Sequence, residues 1–148
     1  ETEKIDKEVS TQDTLMHIVL QYYLALKEFY KESFSESSQR LIKSREGFKS
    51  ISNIFSWIAI ENILLNIINY LLLDLYDVIE EEIGILELLS QKHQFDNQII
   101  SDIRAFIFRM QLDEEGYMEL REDYSIYLNK ELEGLKRRWG LLKLVKLI

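Results

Sequence analysis

The chain has no cysteine and no proline, and its 148 residues include only five glycines, Gly47, Gly84, Gly116, Gly134 and Gly140. Without cysteine, disulfides and thiolate metal sites are excluded. Without proline, and with so little glycine, the chain lacks the residues that punctuate hairpins and tight loops. All-β and doubly wound architectures need many more turns than this composition supplies. Long helices joined by a few short turns satisfy it. Alanine is also scarce, present only at Ala25, Ala59 and Ala105. Leucine and isoleucine therefore dominate the apolar set, and helix axes are expected at the wide end of the usual ~8–10 Å spacing.

Catalytic raw material is thin as well. The histidines are His17 and His93, and neither belongs to an H-E-x-x-H or E-x-x-H motif. No arginine precedes a histidine at the R-x4–6-H spacing of helical toxin ribonucleases, and no G-x-S-x-G elbow or Gly-rich phosphate loop occurs. His17 sits in an apolar helix beside Met16 and Ile18 and reads as a packed or half-exposed side chain. His93 falls at an expected helix C-terminus, where it suits the dipole with no further role. No cofactor is expected.

What the chain does have is a dense apolar run between Ile54 and Leu73, interrupted by Glu61, Asn62, Asn66 and Asn69. The run is long enough to span a bilayer, but each polar residue at the centre of a spanning helix costs about 1–3 kcal/mol. A helix buried in protein is the better reading. Asn62, Asn66 and Asn69 share one face of it, within about 60° of one another. Either they are buried, where each must find partners and can fix register or oligomer state, or they form the solvent edge of the helix. Both readings stay open.

Periodicity outlines the other elements. Leu15, Val19, Tyr22, Leu26 and Phe29 repeat at helical spacing on a helix starting near Ser10 or Thr11. Ser33-x-x-Glu36 reads as the start of the next helix, through RLIKSREGFK. The apolar helix then runs from about Ile51 to Lys92, with a possible kink at Gly84. Asp96 is a cap candidate for a helix over Asn97–Gln111, Gly116 marks a turn, and a final helix from Tyr117 could reach the C-terminus. The expectation is an all-α fold, a single domain over residues 1–148. It comprises a polar lead over 1–10, a compact bundle of four to five helices around a long, mostly buried central helix, and a basic segment over 136–148.

That last segment, KRRWGLLKLVKLI, holds Lys136, Arg137, Arg138, Lys143 and Lys146 and no acid, so it carries +5 against −13 for the rest of the chain. Its cations alternate with Trp139 and aliphatic residues, a pattern that suits an anionic membrane surface or an acidic partner. The alternative is a last bundle helix whose cations suit the C-terminal end of its dipole. Arg40, Lys43, Arg45 and Lys49 form a smaller basic group that reads as a solvated face. The acidic body disfavours nucleic acid.

Carboxylates recur at Asp74, Asp77, Glu80 and Glu81, and again at Glu115, Glu119, Glu122 and Asp123, each set with helical spacing. Two such faces meeting suit Mg²⁺. In kind this resembles the all-α nucleotide pyrophosphohydrolases, although their E-x-x-E and E-x-x-D pattern is not reproduced here. Two solvated acidic faces are the plainer account. The polar opening ETEKIDKEV has no apolar core of a signal peptide, so a cytoplasmic location is expected. The functional expectation is a non-enzymatic protein that works by binding protein, as a homo-oligomer first. A Mg²⁺-dependent enzyme and a peripheral membrane protein are the alternatives.

Overall fold

The computed structural model describes residues 2–50, 56–117, 121–142 and 145, with side chains described over 13–48, 57–111, 126–142 and 145. Among them the protein is all-helical: α1 (Thr2–Tyr30), α2 (Phe34–Glu46), α3 (Ser56–Leu72), α4 (Ile79–His93), α5 (Asn97–Tyr117) and α6 (Arg121–Trp139), with 3₁₀ turns at Gly47–Ser50 and Tyr76–Val78. The chain divides into two compact units, Glu1–His93 and Gln94–Ile148, each with its own core.

Six helices stand where four or five were expected, because the run from Ile51 to Lys92 is not one helix. It breaks after Leu72, where Asp74 takes a left-handed backbone conformation with φ 58°. The Leu75 N–H closes onto the Tyr70 carbonyl at 2.9 Å and the Asp74 N–H onto Leu71 at 3.4 Å, a Schellman ending. Glu32 ends α1 in the same way at φ 61°, with Ser33 N–H on Glu28 O and Glu32 N–H on Phe29 O, both at 2.9 Å. Glycine usually occupies this position, so a chain poor in glycine hides its helix ends. Ser33 makes no side-chain cap on α2; its carbonyl instead takes the Ser37 N–H at 2.9 Å. Asp96 does cap α5, accepting from the Gln98 N–H at 2.9 Å. Gly116, expected at a turn, lies inside α5.

In the first unit, α1 and α2 form an antiparallel hairpin. The Ser37 hydroxyl donates to the Ala25 carbonyl at 2.9 Å and the Ser44 hydroxyl to Ile18 at 2.8 Å, a seven-residue step on each helix in opposite directions. Hydroxyl-to-backbone bonds between helices demand close approach. Small residues, Ala25, Ser37, Ser44 and Gly47, let the two elements approach at these points, with Ile18 packed directly over Gly47. Against this hairpin lies α3, whose residues 58 to 69 are all buried. Ile63, Leu64, Leu65, Ile67 and Ile68 are fully covered, and each such side chain contributes about 1.5–3 kcal/mol of hydrophobic stabilisation. At 17 residues α3 is shorter than α1, and no helix among the described residues is long and apolar enough to cross a membrane.

In the second unit α5 and α6 pack through Ile99, Ile103, Phe106, Ile107 and Met110 on one side and Leu128, Leu132 and Leu135 on the other.

Three glycines in helical backbone differ in the room around them. A Cβ at Gly84 or Gly134 would meet nothing within 4 Å, whereas one at Gly47 would lie 2.7 Å from Cγ1 of Ile18. Gly84→Ala and Gly134→Ala should therefore each stabilise by about 0.5–1 kcal/mol. Gly47→Ala should destabilise by about 1–3 kcal/mol through overpacking. Thermal melts followed by circular dichroism check both signs; a Gly47→Ala variant that melts no lower than the parent would contradict the close α1–α2 approach.

Candidate functional site

The polar residues of α3 assemble a buried layer. Asn62, Asn66 and Asn69 are completely buried, and Glu61 is nearly so. Asn62 binds on two sides: its Oδ1 accepts from Arg45 Nε at 2.7 Å and its Nδ2 donates to the Leu41 carbonyl at 3.0 Å. Arg45 continues to α4, where Nη1 reaches Glu82 Oε1 at 2.9 Å and Nη2 reaches Oε2. The guanidinium is thus held in a bidentate fork on a carboxylate that is itself buried, and three helices meet on one charge. On the neighbouring face of α3, the Tyr22 hydroxyl donates to Glu61 Oε2 at 2.8 Å. Burial, reinforced by the Glu61 charge and hydrogen bond, pushes the Tyr22 phenol far above its ordinary value, so it remains a donor throughout the working pH range.

Two turns from Asn62, Asn69 Nδ2 donates to Ser37 Oγ at 3.0 Å, and that hydroxyl in turn donates to Ala25 O on α1. Between these two linkages sits Asn66. Neither its Oδ1 nor its Nδ2, nor the Oδ1 of Asn69, has a hydrogen-bond partner among the described residues. Buried amides without partners cost about 1–3 kcal/mol each.

Arg45 therefore leaves the solvated basic face on which the sequence placed it. Glu82 was assigned no role by the sequence, since both groups look like ordinary helix-surface charges. The only signal was their helical position: Arg45 follows Leu41 by four, and Glu82 precedes Leu86 by four, each in the buried arc of its helix.

The carboxylates of the Asp74 set do not share a helix face. Asp74 lies in the turn, accepting from the Tyr76 hydroxyl at 3.0 Å, Asp77 lies in the 3₁₀ turn, and Glu80 and Glu81 point outward from α4. The side chains of Glu115, Glu122 and Asp123, and Glu119 altogether, lie outside the described residues. No group of three acidic or histidine side chains that suits a metal ion occurs among the described residues. His17 is exposed, and His93 ends α4 with its pKa lowered by burial and by Lys92.

In the second unit, three residues of the basic segment, Lys136, Arg138 and Trp139, have partners within the protein. Trp139 Nε1 donates to Asp102 Oδ2 at 2.7 Å, and Arg138 Nε sits 3.1 Å from the same oxygen while its guanidinium lies 5.6 Å over the indole. Gly140 then ends α6 in a left-handed conformation, φ 66°, its N–H on the Lys136 carbonyl at 2.8 Å. Beyond it Leu141, Leu142 and Val145 are buried, and Lys136 Nζ donates to the Val145 carbonyl at 2.6 Å. Arg137 is exposed. Lys143 and Lys146 lie outside the described residues. Arg109 and Glu131 pair at 2.7 Å further along α5 and α6.

Asp102 is the hub of this clasp. Burial would raise its pKa, but hydrogen bonds from Gln98 and Trp139 and the charges of Arg138 and Arg109 outweigh it and hold the carboxyl below its ordinary value of 3.8.

No family model matches the chain, and comparison with curated proteins and with solved structures gives no match.

Asn66→Leu should raise stability by about 1–3 kcal/mol, because it removes two unpartnered groups at similar shape. Asn62→Leu should lower it by a similar amount, since it strips a partner from Arg45 and from the Leu41 carbonyl; denaturant titration of the two variants gives the comparison. For Asp102, whose folded pKa is depressed, the stabilisation is complete above the ordinary carboxylate pKa and is lost as pH falls through the lower folded value. Asp102→Asn should accordingly flatten the acid limb of stability below about pH 4 and leave its pH dependence between 6 and 8 unchanged. An unaltered acid limb would mean the clasp contributes nothing.

Proposed function

We propose that this protein is non-enzymatic and acts by associating with protein, its own copies first, from a cytoplasmic location. The observation that carries the reading is where the molecule leaves its large apolar side chains. Met16, Leu20, Tyr23 and Tyr30 recur along the outer side of α1, with exposures of 70, 56, 53 and 46%. Trp57, Leu88, Phe108 and Ile126 are also exposed on their own helices. Scattered surface leucines are ordinary, but an apolar row along one helix marks an interaction surface.

The charged groups support the same reading. Arg45, Glu82, Asp102, Arg138, Arg109 and Glu131 are committed to one another across helix pairs, an arrangement that positions helices rather than substrate. A Mg²⁺ enzyme built on the Asp74 set has less support, because the turn at Asp74 separates those carboxylates onto different elements. Membrane attachment through the basic segment has less support as well, since Leu141, Leu142 and Val145 are covered.

Light scattering on a sizing column without detergent, over a wide concentration range, tests the proposal. The expected outcome is a mass above the 17.7 kDa of one chain that rises with concentration. A monomer that gains thermal stability with Mg²⁺ or Mn²⁺ would overturn it in favour of the enzyme.

A further inference from the structure

The α1 helix is apolar on two sides. Ile18, Tyr22, Ala25, Leu26 and Phe29 face the core of the first unit. On the opposite side, Met16, Leu20, Tyr23, Lys27 and Tyr30 follow at steps of four, three, four and three residues, and all are exposed. At about 100° per residue this row occupies an arc of roughly 80°. A solvent face would be polar there, and the 4-3-4-3 step is that of a helix-pairing seam. Half-buried Val19 and Leu24 extend the apolar character on either flank.

The charges on this face select the occupant. Asp13 begins the row, while Lys27 stands inside it and Lys31 follows one residue past the end of α1. Asp13 and Lys31 lie on the same edge of the arc, about 27 Å apart along the axis. In an antiparallel pair of helices, an edge meets the same edge of its partner. A parallel pairing would set that edge against the other edge of its partner at the same height, so neither Asp13 nor Lys31 would meet the opposite charge. An antiparallel one places each Asp13 near the other copy's Lys31, twice by symmetry, with Leu20 and Tyr23 of both copies at the two-fold centre. The two other acids near that end, Glu28 and Glu32, fall off the arc: Glu28 is half-buried on the flank of α1, and Glu32 lies in the turn that ends it.

We infer that the outer face of α1 is a homodimer surface, occupied by α1 of a second copy running antiparallel. This rests on the association reading above and names its partner and its surface. One helix face is smaller than the about 800 Å² per partner of a standard interface, so dissociation on the order of micromolar is expected.

The test uses the full chain. Leu20→Glu combined with Tyr23→Glu places four carboxylates at the two-fold centre and should raise the dimer dissociation constant at least tenfold by sedimentation equilibrium. Both side chains are exposed, so circular dichroism should remain that of the parent. Leu88→Glu, exposed on α4, is the control and should leave the dimer unchanged. A dimer that survives the double change would overturn this surface while leaving self-association standing. A parent chain that is monomeric up to millimolar concentration would overturn both. Because the chain is free of cysteine, orientation is read separately. Asp13→Cys with Lys31→Cys should give an oxidised covalent dimer at micromolar concentration, and Asp13→Cys alone should not. Equal cross-linking by the single variant would overturn the antiparallel arrangement.

Discussion

The charge of Arg45 is the constraint on which the first unit depends. A guanidinium taken out of water must be surrounded by acceptors or the fold loses several kcal/mol. Here the acceptors come from two other helices: the Glu82 carboxylate on α4 and the Asn62 amide oxygen on α3. That requirement sets the rotation of α2 about its axis and the height of α4 against it. Once α2 is so placed, Ser37 and Ser44 face the α1 carbonyls, and the close α1–α2 seam with Gly47 follows. The ion pair need not add net stability over an apolar substitute of the same shape. What it contributes is discrimination among the many ways in which leucine- and isoleucine-rich helices can pack.

The second unit solves a similar problem with the opposite sign. A single carboxylate, Asp102, gathers the Trp139 indole and the Arg138 guanidinium from the end of α6. Beyond Gly140, Leu141, Leu142 and Val145 are covered, and the Lys136 amine sits on the Val145 carbonyl. In both units a buried or half-buried charge is shared by more than one partner, which is how helices without disulfides or metal sites can be held in one arrangement.

Helical class was legible from absence: with no proline and few glycines, little else is consistent with the chain. The run around Ile63–Ile68 was legible as a buried helix, and Asp96 as a cap. The break at Asp74 was not, because its left-handed residue is an aspartate and its closing bonds are backbone to backbone. Nor could spacing alone decide how Asn62, Asn66 and Asn69 stand, since a helical stripe has the same period whether it faces water or Arg45. The pairing of Arg45 with Glu82 joins residues 37 apart in sequence, and no local pattern encodes it. The outer row on α1 went unread because the core row on the opposite side already accounts for a buried helix, and spacing does not show that a second apolar row is exposed.

The two tryptophans are divided between the two units in contrasting settings. Trp57 stands half-exposed on α3, while Trp139 is half-buried on α6 with its indole nitrogen committed to a carboxylate. The molecule therefore carries a built-in optical label for each unit. Replacing either indole with phenylalanine leaves the remaining emission to report on one unit alone, so the two can be watched melting, or exchanging with solvent, as separate events within a single chain.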